Sequence, residues 1–317
     1  MLTYAAQRLG GSLLVLLIMS FVIYGLIGLM PGDPIDLMIQ ADPDLTPQDQ
    51  KRLKELYGLD KPLLERYGNW LWGALQGDFG YSRLFAAPVL EVLWPRLINT
   101  LLLLVPAFLL SVALALPLGI VAATRPQSGV DNAINLFAFA GISVPPFWLA
   151  ILLIMLFAVS LGWLPAGGMG GGPDAGPWET ARYLILPVIA LALARVGGIT
   201  RYVRSSMMES LRQDYVRTAR AKGLSRRRVL VNHALRNALI PVVTILALDM
   251  GMLVSGALIT ETVFGWLGMG KTIYDAVLGN DYNLALMGLL FATALTLLAN
   301  LIADLAYAWL DPRVSYR

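Results

Sequence analysis

The stretch LINTLLLLVPAFLLSVALALPLGIVAA, Leu97–Ala123, runs for 27 residues without one charged side chain. As a helix it would be about 40 Å long, against roughly 30 Å for the hydrocarbon core of a bilayer. No soluble domain of ordinary size buries such a helix on every side, so the stretch reads as a membrane span. Working outward, five more windows read the same way: 9–30, 133–161, 183–203, 238–264 and 284–310. Composition agrees. Of 317 residues, 57% are hydrophobic and 14% charged, where a soluble domain is nearer half and a quarter. Mean hydropathy is +0.66. The expected fold is an all-α integral membrane protein with six transmembrane helices.

Two windows need comment. The first is too long for a cleavable signal peptide, and Pro31-Gly32-Asp33-Pro34 follows it in place of a small-residue cleavage site. It is expected to stay as an uncleaved span. The third contains Pro145-Pro146. It is either one kinked helix or a break sheltered by its neighbours, because freed backbone groups cannot face lipid.

Six spans put both termini on one side, and Lys and Arg decide which. Between Arg204 and Asn237 there are nine cations (Arg204, Arg212, Arg217, Arg220, Lys222, Arg226, Arg227, Arg228, Arg236) against Glu209 and Asp214. The loops 162–182 and 265–283 carry Arg182 and Lys271 against Asp174, Glu179, Asp275 and Asp281. The segment 204–237 and both termini are therefore expected in the cytoplasm. The large loop 31–96 is then external. Its seven cations and ten acids do not conflict, since loops above about 60 residues translocate regardless of charge. Within it, Thr46-Pro47 marks a helix start before Leu53, Leu56 and Tyr57. Tyr67, Trp70, Leu71 and Leu75 form a second amphipathic stretch. Its aromatic stripe either lies at the membrane interface or on the bundle, or docks an external partner.

Gly265-Trp-Leu-Gly-Met-Gly270-Lys271-Thr272 fits the phosphate-loop pattern G-x-x-x-x-G-K-[ST] letter for letter. That chemistry needs a strand before the loop, a helix in a soluble α/β domain after it and a carboxylate for magnesium. An apolar span precedes it here, so it reads as a glycine-rich turn. The chain has no Cys and one His, His233, which excludes thiolate and multi-histidine metal sites. His233 reads as a surface or packing residue, with a proton carrier as the alternative.

The segment 204–237 reads as a helix–Gly–helix hairpin on the cytoplasmic face, with Gly223 ending one short helix and Ser225 capping the next. Positive-inside bias accounts for its cations, and anionic lipid contact is a further reading. Neither accounts for the small-residue pattern Ala219, Ala221, Gly223, which would let another protein approach closely. Inside the spans, Arg195, Asp249 and Asp304 are expensive in lipid and so are expected to face a cavity or partner. By depth, Arg195 and Asp249 are candidates to pair or to line a substrate path. Gly197, Gly198, Gly251 and Ser255 are candidates for close helix packing.

Several stretches in order resemble the membrane permease subunit of bacterial ABC importers for dipeptides, oligopeptides and nickel. They are MPGDP (30–34), YGLDKP (57–62), GDFG (77–80), Tyr215–Pro241 and DPR (311–313). The importers' coupling motif has the general form E-A-A-x-x-x-G. Here Arg217 and Thr218 replace its Glu and first Ala, Ala219 and Gly223 match, and the usual Ile-x-Leu-Pro ending is absent. The resemblance implies ATPase coupling through Ala219, Ala221, Gly223, Leu224 and Ser225. It implies a second similar permease, two ATPase subunits carrying all ATP and magnesium, and an external solute-binding protein. It also implies residence in a bacterial inner membrane, with no catalysis and no cofactor in this chain and no nucleic-acid partner. Cargo choice would rest largely with the binding protein; dipeptides, oligopeptides, nickel and glutathione all fit.

The competing class is a stand-alone secondary transporter or channel. No inverted internal repeat is evident, and a solitary carrier has no use for the basic docking hairpin. An intramembrane enzyme would need paired carboxylates, a Ser–His pair or a metal cluster at one depth, and none is legible.

Overall fold

The computed structural model of the chain describes residues 2–29, 48, 61–170 and 176–310. Side chains at 2–4, 177, 247–256, 303 and 306–310 lie outside the description. So do the stretches 30–34 and 311–313 and the expected helix after Thr46. In chain order the elements are α1 (Leu2–Gly28), α2 (Leu63–Leu75), β1 (Tyr81–Ser82), β2 (Ala87–Pro88), α3 (Val89–Thr124), α4 (Gly129–Ser143), α5 (Pro146–Leu153, continued as π-helix over Ile154–Ser160), α6 (Pro177–Leu211), α7 (Asp214–Ala221), α8 (Arg236–Val263), α9 (Met269–Leu278) and α10 (Tyr282–Leu310). A single turn, Arg226–Arg228, and a π-helical segment, Val229–Leu235, lead into α8. The strands form one antiparallel ladder, Tyr81 opposite Pro88 and Ser82 opposite Ala87.

Among the described residues five helices are long and apolar enough to cross a membrane, and a sixth crossing requires α4 and α5 together. These two are bent by 101°, so the expected span 133–161 is a break and not a gentle kink. The cause is local. Val144 precedes a proline and is extended, at φ −86° and ψ 122°. Pro145 is extended as well, and Pro146 opens the new helix at its first turn, where its missing N–H costs nothing.

The longest helices exceed their expected windows. α3 has 36 residues and begins at Val89, eight positions before Leu97. α6 has 35 and runs on to Leu211. At 1.5 Å per residue each is over 50 Å long, so both project well beyond a ~30 Å hydrocarbon layer. Pro95, Pro106 and Pro117 lie inside α3. Their eleven-residue spacing is three turns plus about 20°, which keeps them on one stripe.

Glycine lets the central pair touch. A Cβ at Gly119 of α3 would lie 2.8 Å from Thr200 O of α6, and one at Gly197 of α6 only 2.3 Å from Ala138 O of α4. Gly197 therefore fills the close-packing role expected of it. Gly198 meets nothing within 4 Å. Outward faces stay apolar, as at Leu13 and Leu14 of α1 and Leu136 and Phe137 of α4, which is what a lipid-facing surface requires.

The aromatic stripe of α2 packs on α1. Tyr67 shares a 2.7 Å hydrogen bond with Ser20, and its ring stands edge-on to Phe21 and Tyr24. Among the alternatives for that stripe, the bundle-packed one is found.

Candidate functional site

The bundle is pinned at both ends by buried acids. At the end carrying the α8–α9 loop, Glu261 is fully buried and accepts 2.6 Å from Thr100 Oγ1 of α3. It also accepts 2.8 Å from the Lys271 amide. The glycines of the phosphate-loop look-alike sit against this carboxylate: a Cβ at Gly268 would come within 2.1 Å of Glu261 Oε1, and one at Gly270 within 3.0 Å of Oε2. The turn thus wraps an acidic group, as the pattern demands, but the group is the chain's own carboxyl side chain. Lys271 Nζ is paired with Asp275. Beside it, Trp266 is buried and its Nε1 donates 2.9 Å to Asn99 O.

Asp281 plays the matching part for the ladder. It is 2% exposed and accepts from Ser82 Oγ at 2.6 Å and from Leu84 N at 3.0 Å. That fastens the β1–β2 turn to the loop before α10.

The opposite, basic end has a different construction. Asp131 of α4 is 1% exposed, and Arg204 of α6 holds it through two 2.7 Å bonds, Nε to Oδ1 and Nη2 to Oδ2. Asn135 Nδ2 and the Gln127 amide complete the shell at 2.7 and 2.8 Å. Ser128 Oγ caps α4 by accepting from Asp131 N. A two-bond guanidinium–carboxylate contact with every oxygen occupied is the geometry in which a buried pair holds.

Beyond Arg204, α6 ends and α7 lies across the bundle. Val216 and Ala219 face inward and are buried with Met207, Val229 and Ala234. Arg217, Thr218, Arg220, Ala221 and Lys222 face out. Ala219 is therefore small because α7 sits close on the bundle, not because a partner approaches it there; of the expected small-residue pattern, only Ala221 and Gly223 are open. Gly223 has φ +76°. Its amide donates 2.9 Å to Arg220 O, and the Leu224 amide donates 3.3 Å to Ala219 O. This is the two-bond glycine stop of a helix, with half-buried Leu224 packed beneath. Ser225 occupies the next N-cap position as expected, yet its side chain makes no capping bond.

The second half of the expected hairpin is not a separate helix. From Arg226 the chain is helical without interruption into α8, passing through the π-helical Val229–Leu235. A π-turn leaves carbonyls poorly matched to the i+4 amides. Ser210 Oγ of α6 donates 2.8 Å to such a group, Ala234 O, and one turn earlier Ser206 Oγ donates 2.7 Å to Ala238 O in the first turn of α8. Ser210 Oγ also lies 2.7 Å from Tyr215 OH on α7. So α6, α7 and the entry to α8 are one hydrogen-bonded unit. His233 lies half-buried in the π segment.

The path candidates are less closely placed. Arg195 is half-buried on α6, while the Asp249 side chain lies outside the described residues, as do Gly251 and Ser255. Asp304 pairs with Arg8 at 3.2 Å, tying the last span to the first. Among the described residues no group of three or more His, Asp or Glu is placed to hold a metal. Sequence reasoning missed Glu261, Asp281 and the Asp131–Arg204 pair. Only Asp131 left a local trace, as the fourth residue of Ser128-x-x-Asp131, a capping pattern.

Comparison with known proteins places the chain. Residues 1–114 match the N-terminal family of binding-protein-dependent transport system membrane components. The chain is 39% identical over 318 residues to the oligopeptide transport system permease protein AppB of Bacillus subtilis, covering 100% of both chains. It is 35% identical over 339 residues to the dipeptide transport system permease protein DppB of Escherichia coli K12, again covering 100% of both. Among solved structures, the MetNI methionine ABC transporter in inward-facing form is similar with TM-score 0.56 at 18% identity, over 70% of this chain and 97% of that one. An amino acid ABC transporter is similar with TM-score 0.53 at 15% identity, over 69% of this chain and 94% of that one. Since residues 115–316 match the family of binding-protein-dependent transport system inner membrane components, covering every element from the end of α3 onward, the chain belongs to that family.

Proposed function

We propose that this chain is half of the translocation path of an ATP-driven importer of di- or oligopeptides in the cytoplasmic membrane of a bacterium. A second, homologous permease subunit supplies the other half. Two ATPase subunits engage the basic end, and an external solute-binding protein delivers peptide at the Glu261–Asp281 end. Both termini and 204–237 face the cytoplasm, and the loop 31–96 faces outward. ATP and magnesium belong to the ATPases, and this chain does no catalysis.

The observation that carries the reading is the construction around α7. A short helix is held on the bundle by Val216 and Ala219, stopped by Gly223, and bonded through Ser210 to both α6 and the start of α8. Force applied to its exposed side, at Ala221, Gly223 and Ser225, passes to two spans at once. That is the requirement for a lever between ATPase closure and alternating access. The names of the full-length relatives support the peptide class. Arg195 and Asp249 are assigned to the path, where they would meet the charged ends of a peptide.

The test pairs purification with uptake. Tagged chain from native membranes is expected to bring down a second permease and ATPases in stoichiometric amounts. A strain lacking the chain is expected to lose uptake of labelled short peptides. A purified lone chain that carries peptide across liposomes without ATPases would contradict the proposal.

A further inference from the structure

α2 carries more apolar surface than its contact with α1 uses. Tyr67 and Trp70 share the sector of the helix that is laid on α1. Leu64, Leu71, Trp72 and Leu75 fall in the next sector, within an arc of about 100° at 3.6 residues per turn. Leu64, Trp72 and Leu75 are 71%, 66% and 73% exposed, so nothing among the described residues covers that face. Glu65, Asn69 and Gln76 take the remaining, polar side. A short helix that is apolar over about 200° of its circumference, with a narrow polar side, suits the surface of a bilayer and not open water.

The level of α2 is fixed by where it meets α1. The apolar stretch Ala5–Gly28 has 24 residues, about 36 Å of helix against a hydrocarbon layer of ~30 Å, so it overruns the layer by about 6 Å at most. Tyr67 meets Ser20, Phe21 and Tyr24, and Trp70 meets Tyr24. Tyr24 and Ser20 lie about 6 and 12 Å of helix before Gly28. Even with the whole overrun at the Gly28 end, Tyr24 is at the hydrocarbon boundary and Ser20 about 6 Å inside it. Trp70 also packs against the cluster that holds Ile23 and Ile27 of α1 and Leu284 of α10. Beside this contact, Ile18 and Val22 of α1 are exposed and apolar. The open face of α2 therefore continues an exterior that already faces lipid.

We propose that α2 is a membrane-embedded helix of the external leaflet, with Leu64, Leu71, Trp72 and Leu75 among acyl chains just below the headgroups and Glu65, Asn69 and Gln76 toward water. The leaflet rests on the orientation proposed above; the embedding does not. The large loop 31–96 thus returns to the bilayer before it reaches the β1–β2 ladder. The ladder then stands at a height set by lipid through α2 on one side and by Asp281 on the other.

Nitroxide labels on the single variants L64C, N69C, W72C, L75C and Q76C of the full-length chain test this by power-saturation electron paramagnetic resonance. All five positions are exposed, so a label displaces no packed side chain. The chain is reconstituted alone and in its assembled complex, in vesicles of phosphatidylethanolamine and phosphatidylglycerol. Labels at 64, 72 and 75 are expected to collide with oxygen in preference to a water-soluble nickel chelate, and labels at 69 and 76 to show the reverse, in both preparations. Preference for the chelate at all five positions would put α2 in water and overturn the proposal. Exclusion of both reagents from 64, 72 and 75 in the complex would make the face a contact with another subunit and overturn the lipid assignment. The orientation fails separately: a G223C thiol open to an impermeant reagent in intact cells would move α2 to the inner leaflet while the oxygen preference stands.

Discussion

Gly223 is held by backbone geometry and not by crowding. Its φ of +76° is left-handed, yet a Cβ there would meet nothing within 4 Å. Gly223→Ala is expected to destabilise the α7 stop by about 1–2 kcal/mol, the cost of a left-handed L-residue. Gly223→Asn should lose visibly less, because Asn tolerates that conformation. Thermal unfolding of the two variants checks the order; equal losses would mean that side-chain bulk, not φ, is what matters. The Asp131–Arg204 pair behaves differently, because Asp131 is buried and Arg204 is half-buried against it. Arg204→Gln alone should cost about 3–5 kcal/mol by stranding the buried Asp131, and Asp131→Asn should cost less, because the half-buried Arg204 reaches water. The double variant should cost clearly less than the sum, as read in a double-mutant cycle of unfolding. Strictly additive losses would contradict the pairing. At this scale the sequence was legible where the constraint is local, as at Gly223, and silent where partners are distant. Glu261 meets Thr100 across 161 positions and Ser82 meets Asp281 across 199, and no spacing rule links residues so far apart. Ala219 shows the converse error: a small residue in a motif was read as an outward feature, when the helix face that decides its role is set by Val216 three positions earlier.

At the level of elements, apolar length pointed to helices long enough to cross a bilayer, because lipid imposes one requirement on every crossing. It did not locate their ends. α3 and α6 run past the hydrocarbon because their extensions are packed on other parts of the protein, and hydropathy carries no record of that. Pro145-Pro146 marked the place of the α4–α5 break, but not its 101° angle, which depends on α6 lying alongside. The π segment left no sequence signal at all; its support is Ser210 of α6. Ser210→Ala should lower stability by about 1–2 kcal/mol, leaving the buried Ala234 carbonyl under-satisfied, and Ser206→Ala should cost about 1 kcal/mol, one hydrogen bond to a carbonyl in an α-helical turn. Ser210→Ala should cost more, since Tyr215 OH loses its neighbour as well. Thermal melts of the single variants decide this, and an unchanged melt for Ser210→Ala would show that α7 is not held through that bond.

For the whole molecule, the two ends are built for different work. One end is fixed, with Glu261 and Asp281 gathering loops onto helix ends. The other presents a cationic surface around α7. In the proposed orientation that surface faces the cytoplasm, and the absence of Cys makes single introduced cysteines clean reporters. Cysteine at 223 should resist an impermeant thiol reagent in intact cells and react in opened ones, whereas cysteine at 76 should react in both.

The central claim, that the exposed side of α7 is where ATPase motion enters the membrane, is tested most directly by a photo-crosslinker placed at Ala221 in the intact complex. The account predicts an adduct between this chain and an ATPase subunit. An adduct with the external binding protein, or no ATPase adduct while the complex stays assembled, would contradict it.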